Sequence, residues 1–342
     1  MMYVSKIDKN FDKKTSLQVD NIKFHNITEN EFSLFGIFFE NGQLRRMPEA
    51  VAKAISPEVY MLHTHTAGGR VKFVTDSKYV ALNTTVCNLA RHPQFALSGS
   101  AGFDMYVDNE FYGAFVPPLN LANDYEGIIN FEDKRLREIT LNFPLYANVS
   151  KLYIGLESDA VLKGAVPYKR KTPIVFYGSS ITHGACASRP GNTYESIISR
   201  RFDTDFINLG FGGSAKAEDE MANYIKDLNM SVFVNDYDHN APDLEFLKKT
   251  HQKMFLTIRE ANPDLPIIMS SLPKYLLTTD EKHRLEIIKD TYLNAVSRGD
   301  KNVYFIEGPF LMQYAKADGT VEFFHPNDLG FYSIAKVLGD KL

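Results

Sequence analysis

The chain is expected to be of the α/β class, in two units. An all-β, jelly-roll-like sandwich over residues 1–165 would precede a three-layer α/β/α domain with a mostly parallel sheet over residues 172–342. Three observations support this. Up to about residue 160, short runs of apolar-polar alternation are bounded by Gly, Asn and Asp, the rhythm of antiparallel strands joined by tight turns. After about residue 170, short apolar runs alternate with helical patterns, the rhythm of a parallel sheet covered on both faces. A chain of 342 residues is also too long for one small core.

In the first unit, Val71-Lys72-Phe73-Val74 and Lys78-Tyr79-Val80-Ala81-Leu82 are early strands. Ala67-Gly68-Gly69 and Val107-Asp108-Asn109-Glu110 are turns. Late strands run from Arg137 to Phe143 and from Leu152 to Leu156. In the first of these, Ile139, Leu141 and Phe143 share one face. The stretch from Lys163-Gly164 through Lys169-Arg170-Lys171, closed by Pro173, marks the boundary. Strands of the second unit are expected at 174–177, 206–209, 232–234, 267–269 and 303–306. Leu244, Leu247, Met254 and Ile258 fall on one face of a helix beginning near Pro242, and Leu285, Ile288, Tyr292, Ala295 and Val296 on one face of the next. Thr278 and Glu281 form a capping-box pattern at the start of that second helix. A last helix spans Tyr332 to Leu338.

Composition removes several classes of function. Hydrophobic content of 44% and charged content of 23% are ordinary for a globular protein. A net charge of -4 offers no basic face for nucleic acid, and no apolar run is long enough to cross a membrane. The start, MMYVSKIDKNFDKKTSLQVD, puts charges where a signal peptide has its apolar core. The only two cysteines, Cys87 and Cys186, argue against a disulfide framework. A cytoplasmic location is the expectation from these features.

In open α/β sheets, chemistry gathers in the loops after the strands. The first strand runs into Gly178-Ser179-Ser180-Ile181-Thr182-His183-Gly184, where a serine on a sharp turn can present its hydroxyl beside backbone amides. A plain tight turn would use the same small residues. Near the other end stands Glu322-Phe323-Phe324-His325-Pro326. His325 can take and return a proton near neutral pH, and a carboxylate three residues earlier, Glu322, can fix its tautomer. Asn208-Leu209-Gly210-Phe211-Gly212-Gly213-Ser214 follows the second strand and leaves amides free for an anion. After the third strand comes Asp236-Tyr237-Asp238-His239-Asn240-Ala241-Pro242, where Asn240 is either an oxyanion donor or a helix cap.

These four loops, in this order, resemble the SGNH (GDSL-like) hydrolase superfamily over residues 172–342. The resemblance matches Ser180 to the nucleophile, Asn240 to the asparagine block and His325 to the histidine block. It matches Gly213, five residues after Asn208, to the oxyanion glycine. Gly102-Phe103-Asp104-Met105-Tyr106 is similar to the G-x-D-L-Y signature of the sandwich that precedes one branch of these hydrolases. The resemblance implies a serine esterase working through an acyl-enzyme, with Ser180 as nucleophile and His325 as base, oriented by Glu322. The Ser180 and Gly213 amides and the Asn240 side chain would form the oxyanion hole. No metal or organic cofactor is implied. By similarity to carbohydrate acetyl esterases, the substrate would be a small O-acyl group on a sugar or oligosaccharide. The rivals are a lysophospholipase or thioesterase with a longer acyl pocket, and a non-catalytic glycan-binding protein. Three positions depart from the family pattern: Ser179 and Glu322 stand where Asp is usual, and the third block reads D-H-N-A. Asn235 is a weaker competitor for Asn240.

Other candidates are set lower. His63-Thr64-His65 has the spacing of two metal ligands on one strand face but lacks a third ligand. Arg70 suits a salt bridge, and Cys186 buried packing. His183 and His239 border the expected pocket, with substrate contact and structural roles both open. Phe323 and Phe324 suit either a sugar platform or the core. The oligomeric state is open, a homo-oligomer included.

Overall fold

The computed structural model describes residues 15–342. Residues 1–14, which carry most of the charged start, lie outside the described residues. No described helix is long and apolar enough to cross a membrane.

The N-terminal half holds two antiparallel sheets. One runs in the order Ile22–Asn26, Asn148–Glu157, Tyr79–Cys87, Asp124–Asn130. The other runs Leu162–Gly164, Arg70–Thr75, Arg137–Asn142, Phe103–Val107, Glu110–Phe115, with Ser33–Phe35 also paired to Arg70–Thr75. Val80, Leu82 and Ile154 from the first sheet meet Phe73, Met105, Ile139 and Leu141 from the second in one buried core, the arrangement of a sandwich. At the Asp108-Asn109 turn both residues have positive φ, 51° and 71°, as a two-residue hairpin of matching twist demands.

Beyond Arg170 lies a five-stranded sheet: Arg170–Gly178, Thr204–Gly210, Val232–Asp236, Ile267–Ser270 and Val303–Ile306. Every pairing is parallel, in the spatial order 2-1-3-4-5. Ile174 and Phe176 of the first strand pack on the helices Tyr194–Phe202 and Asp328–Gly339. Val175 and Tyr177 face the opposite way, onto Asp219–Lys226, Leu244–Ala261 and Thr279–Ser297. Period-two alternation thus feeds two cores and makes three layers. The capping box at Thr278 and Glu281 is present.

Several local expectations need correction. Val296 is 44% exposed and lies off the buried face that holds Leu285, Ile288 and Ala295. The last helix begins at Asp328, capped by Asn327, four residues before Tyr332. Lys163-Gly164 belongs to a sandwich strand and Arg170 to Pro173 already lie in the first parallel strand, so the connection is shorter than expected. Two helices, Glu49–Ile55 and Pro57–Leu62, interrupt the β half, and their Ala52, Val59 and Leu62 join the core of the parallel sheet.

Polar contacts bind the halves. The Arg70 guanidinium pairs with Asp205, donates to Phe206 O at 3.1 Å and lies 3.8 Å over the Phe206 ring. Asp104, fully buried, accepts from Asn142 Nδ2 (2.7 Å), Arg189 Nη1 (2.9 Å) and the Gly191 amide (2.8 Å). A side chain at Gly191 would collide with Tyr106 and Asp104, so the loop after the first strand is seated directly on the sandwich.

Candidate active site

In a 2-1-3-4-5 sheet the chain reverses direction between strands 1 and 3, which opens a crevice at their carboxyl ends. Gly178 closes the first strand there, where any Cβ would strike Asp236 O and Thr182 Oγ1. Ser179 caps the short helix Ser180–His183, its Oγ accepting from the Ile181 amide at 3.1 Å, and its own amide donates to Asp236 O at 3.0 Å. Ser180 is left half-buried at the mouth of the crevice.

His325 comes from the loop before the last helix, 145 residues away, and its Nε2 lies 3.0 Å from Ser180 Oγ. Its Nδ1 bonds Glu322 Oε1. Phe323, between them, sits at φ 68°, a left-handed turn that folds Glu322 back on the imidazole. The strap is tied by Val321 N donating to His325 O at 2.9 Å. With Glu322 holding the Nδ1 proton, Nε2 presents a lone pair to the Ser180 hydroxyl, which is what general-base removal of that proton requires. The longer carboxylate at 322 therefore reaches the ring.

Three donors of these loops lack a protein acceptor among the described residues: the Ser180 amide, the Gly213 amide and Asn240 Nδ2. Gly213 has φ 73° and open space around it, so glycine is needed there for backbone conformation and not for fit. Gly212 is the glycine that approaches Ser180, and its amide is occupied by His183 Nδ1 at 3.4 Å. Asn240 Oδ1 accepts from the Ala215 amide at 3.3 Å, which leaves the NH2 free. Capping of the following helix falls to Asp243, which accepts from Phe246 N at 2.7 Å, so the cap alternative for Asn240 does not hold. Asn235 is buried within its strand.

His183 is a structural link: Nε2–H donates to Leu145 O at 2.9 Å while Nδ1 accepts from Gly212. Burial, then Arg46 and His65, pushes its pKa well below the ordinary histidine value. Tyr146 of the N-terminal half stacks on His183 at 4.0 Å and donates to Ser180 O at 3.3 Å; no local sequence signal marks it. His239 bonds Ser179 Oγ through Nε2 and Asp238 Oδ1 through Nδ1, the latter at 2.8 Å. An acid next to a histidine at a strand end was the available signal for that pair.

Two groups of possible ligands cluster among the described residues, Cys186-Glu322-His325 and Asp236-Asp238-His239. Both nitrogens of each histidine are already engaged by Ser180 and Glu322 or by Ser179 and Asp238. Burial and the Glu322 charge push the Cys186 thiol up to about 12, so it is not a thiolate. His63 and His65 fall in neither group: His63 bonds Arg45 and Tyr60 O, and His65 packs edge-on to Tyr146. Phe323 is 50% exposed beside His325, whereas Phe324 is half-buried against both His325 and His239.

Comparison with known proteins adds a lineage. The model of the GDSL-like Lipase/Acylhydrolase family matches residues 171–342. A second model, GxDLY, described as the N-terminus of Esterase_SGNH_hydro-type, matches residues 22–162. Among solved structures, a protein of Bacteroides ovatus described as a GDSL-like lipase is 30% identical, with a TM-score of 0.82 over 92% of this chain and 95% of its own. The salicylyl-acyltransferase SsfX3 of a tetracycline biosynthetic pathway is 21% identical, with a TM-score of 0.77 over 94% of this chain and 96% of its own. A family two carbohydrate esterase from Clostridium thermocellum, in complex with cellohexaose, is 14% identical, with a TM-score of 0.62 over 91% and 97%. The last two likenesses are of fold alone. Comparison with curated proteins gives no match.

Proposed function

The chain belongs to the GDSL-like lipase/acylhydrolase family of carboxylic ester hydrolases, and we propose that it removes a small O-acyl group, acetyl above all, from a carbohydrate through an acyl-enzyme. The observation that carries this reading is the 3.0 Å approach of His325 Nε2 to Ser180 Oγ, with Glu322 behind the ring. In the proposed reaction His325 takes the hydroxyl proton as Ser180 Oγ bonds to the ester carbonyl carbon. The Ser180 and Gly213 amides and the Asn240 NH2 hold the oxyanion. His325 then gives its proton to the departing alcohol oxygen as the C–O bond breaks. Water, deprotonated by His325, repeats the attack and releases the acid and the free serine.

The carbohydrate part of the reading draws on two things. Phe323, two residues before His325 in the strap, offers an exposed ring with Lys274 Nζ 4.6 Å from its centre. The esterase that binds cellohexaose shares the whole two-part fold, an argument by analogy. The proposal takes the sandwich and hydrolase parts as separate domains, 1–165 and 172–342.

Hydrolysis of 4-nitrophenyl acetate by the parent and by Ser180→Ala, followed by acetate release from acetylated oligosaccharides, tests the proposal. Serine-dependent turnover of both is the expected result; full activity in Ser180→Ala sinks the mechanism. A pocket of about 650 Å³, reached from Ser180 through Tyr146 and Gly212 and not lined by Ser180 or His325, is the ground for one alternative, a longer acyl group. It is lined in part by Met61, Leu62, Leu89, Tyr146 and Gly212, more room than an acetyl group fills. Octanoyl esters turned over faster than acetyl esters would select that alternative.

A further inference from the structure

We propose that His239 is a positioning residue for the reaction of Ser180, acting through Ser179. The proposal rests on Ser180 being the nucleophile. Ser179 is completely buried, and its backbone continues directly into the serine that would react. Its Oγ accepts from the Ile181 amide at 3.1 Å and bonds His239 Nε2. The His239 ring and backbone amide both donate to Asp238 Oδ1, each at 2.8 Å. Asp238 Oδ2 accepts from Leu272 N at 3.1 Å, and Asp238 O from Arg284 Nη1 at 2.7 Å. One chain of hydrogen bonds thereby ties together the carboxyl ends of the first, third and fourth parallel strands.

On its other side the His239 ring meets Phe324 edge-on at 5.4 Å, and Phe324 meets His325 at 4.9 Å. His239 therefore stands one residue removed from both members of the Ser180–His325 pair and is hydrogen-bonded to neither. Asp238 accepts from the Nδ1–H, which leaves Nε2 to share the next hydrogen bond with the Ser179 hydroxyl. A buried polar array whose valences are all used specifies one geometry, whereas apolar filling would leave the turn at Ser179 free to settle elsewhere. That geometry sets where Ser180 Oγ lies relative to His325 Nε2.

A double-mutant cycle decides the matter, with kcat and KM for 4-nitrophenyl acetate and the thermal midpoint measured for Ser179→Ala, His239→Gln and the double variant. Each single change is expected to lower kcat by about 10- to 100-fold, with KM within about twofold, since misplacement by an ångström is that costly. The double variant is expected to be no slower than the slower single one, because both changes cut the same link. A His239→Gln enzyme with kcat within about twofold of the parent overturns the proposal, as do losses that multiply in the double variant. Should His239→Gln fail to fold, Asp238→Asn keeps the shape and loosens the histidine, and it enters the same cycle. Ser180→Ala separates the two ideas. Turnover that survives it removes the nucleophile assignment, whereas turnover abolished by it with a multiplicative cycle removes only the role of His239.

Discussion

Two serine–histidine–acid chains lie side by side at the carboxyl ends of the sheet, started by adjacent serines. In the first, Ser180 is half-buried and the His325 and Glu322 side chains are 17% and 40% exposed. The Ser180 amide has no acceptor among the described residues. In the second, Ser179 is fully buried and the His239 and Asp238 side chains are 4% and 1% exposed. Its imidazole nitrogens and carboxylate oxygens are all engaged. The residue types nearly coincide while the chemistry does not. Ser180 is partly open to solvent and Ser179 is closed off from it. In the proposed reaction, access and spare hydrogen-bonding capacity separate a nucleophile from a strut.

That contrast can be broken or sharpened by experiment. The largest effect is expected from Ser180→Ala, with kcat for 4-nitrophenyl acetate down about 10⁴-fold or more. Equal losses in Ser180→Ala and Ser179→Ala would erase the distinction. Asn240→Ala should lower kcat by about 10²- to 10³-fold with little change in KM, the signature of a donor used only in the transition state. An effect confined to KM would make Asn240 a ground-state binding group. Glu322→Ala should cost less, about 10- to 100-fold in kcat, because an exposed carboxylate is partly replaced by water, unlike a buried triad acid worth about 10⁴. Near-normal turnover would leave His325 and Ser180 as a dyad.

The smallest effect concerns the buried floor. Burial raises the Asp236 carboxyl from 3.8 to about 7, with Asp238 adding to the rise and His239 opposing it. The folded protein thus holds a proton that the unfolded chain has released, so this group's contribution to stability is complete below about pH 4 and lost as pH rises through about 7. Asp236→Asn should flatten the thermal midpoint across that window and raise it relative to the parent on the alkaline side. An unchanged slope would show that Asp236 is ionised throughout.

Much of this was legible in the chain itself, and the gaps have physical causes. The parallel strands announce themselves as short, mostly apolar runs because the inner ones are buried on both faces. Ser180, Glu322, His325 and Asn240 sit in loops named by strand order, and the structure brings Ser180, Glu322 and His325 into one hydrogen-bonded row. The helices Glu49–Ile55 and Pro57–Leu62 were hidden because each is under ten residues and buries its apolar side against the other half of the molecule. Tyr146 and Ser180 are 34 residues apart, and Ser179 and His239 are 60 apart. No periodicity or local spacing encodes such pairs. The sequence singled out Gly213 by its spacing from Asn208, and the physical difference from its neighbour, backbone rotation at Gly213 and the bond from Gly212 to His183, needed the fold.

The carboxylate of Asp104 has a bearing on anyone who would recombine this protein. Excising the hydrolase half as a portable cartridge would strip Arg189 and Gly191, five and seven residues past the left-handed turn at Gly184, of the acid that seats them. The loop beside the reacting serine would then lose its anchor even with every catalytic side chain retained. A chimera that swaps the sandwich needs an acid presented at the same place. It also needs a partner for Asp205 and apolar side chains to replace Ala52, Val59 and Leu62 in the core of the parallel sheet.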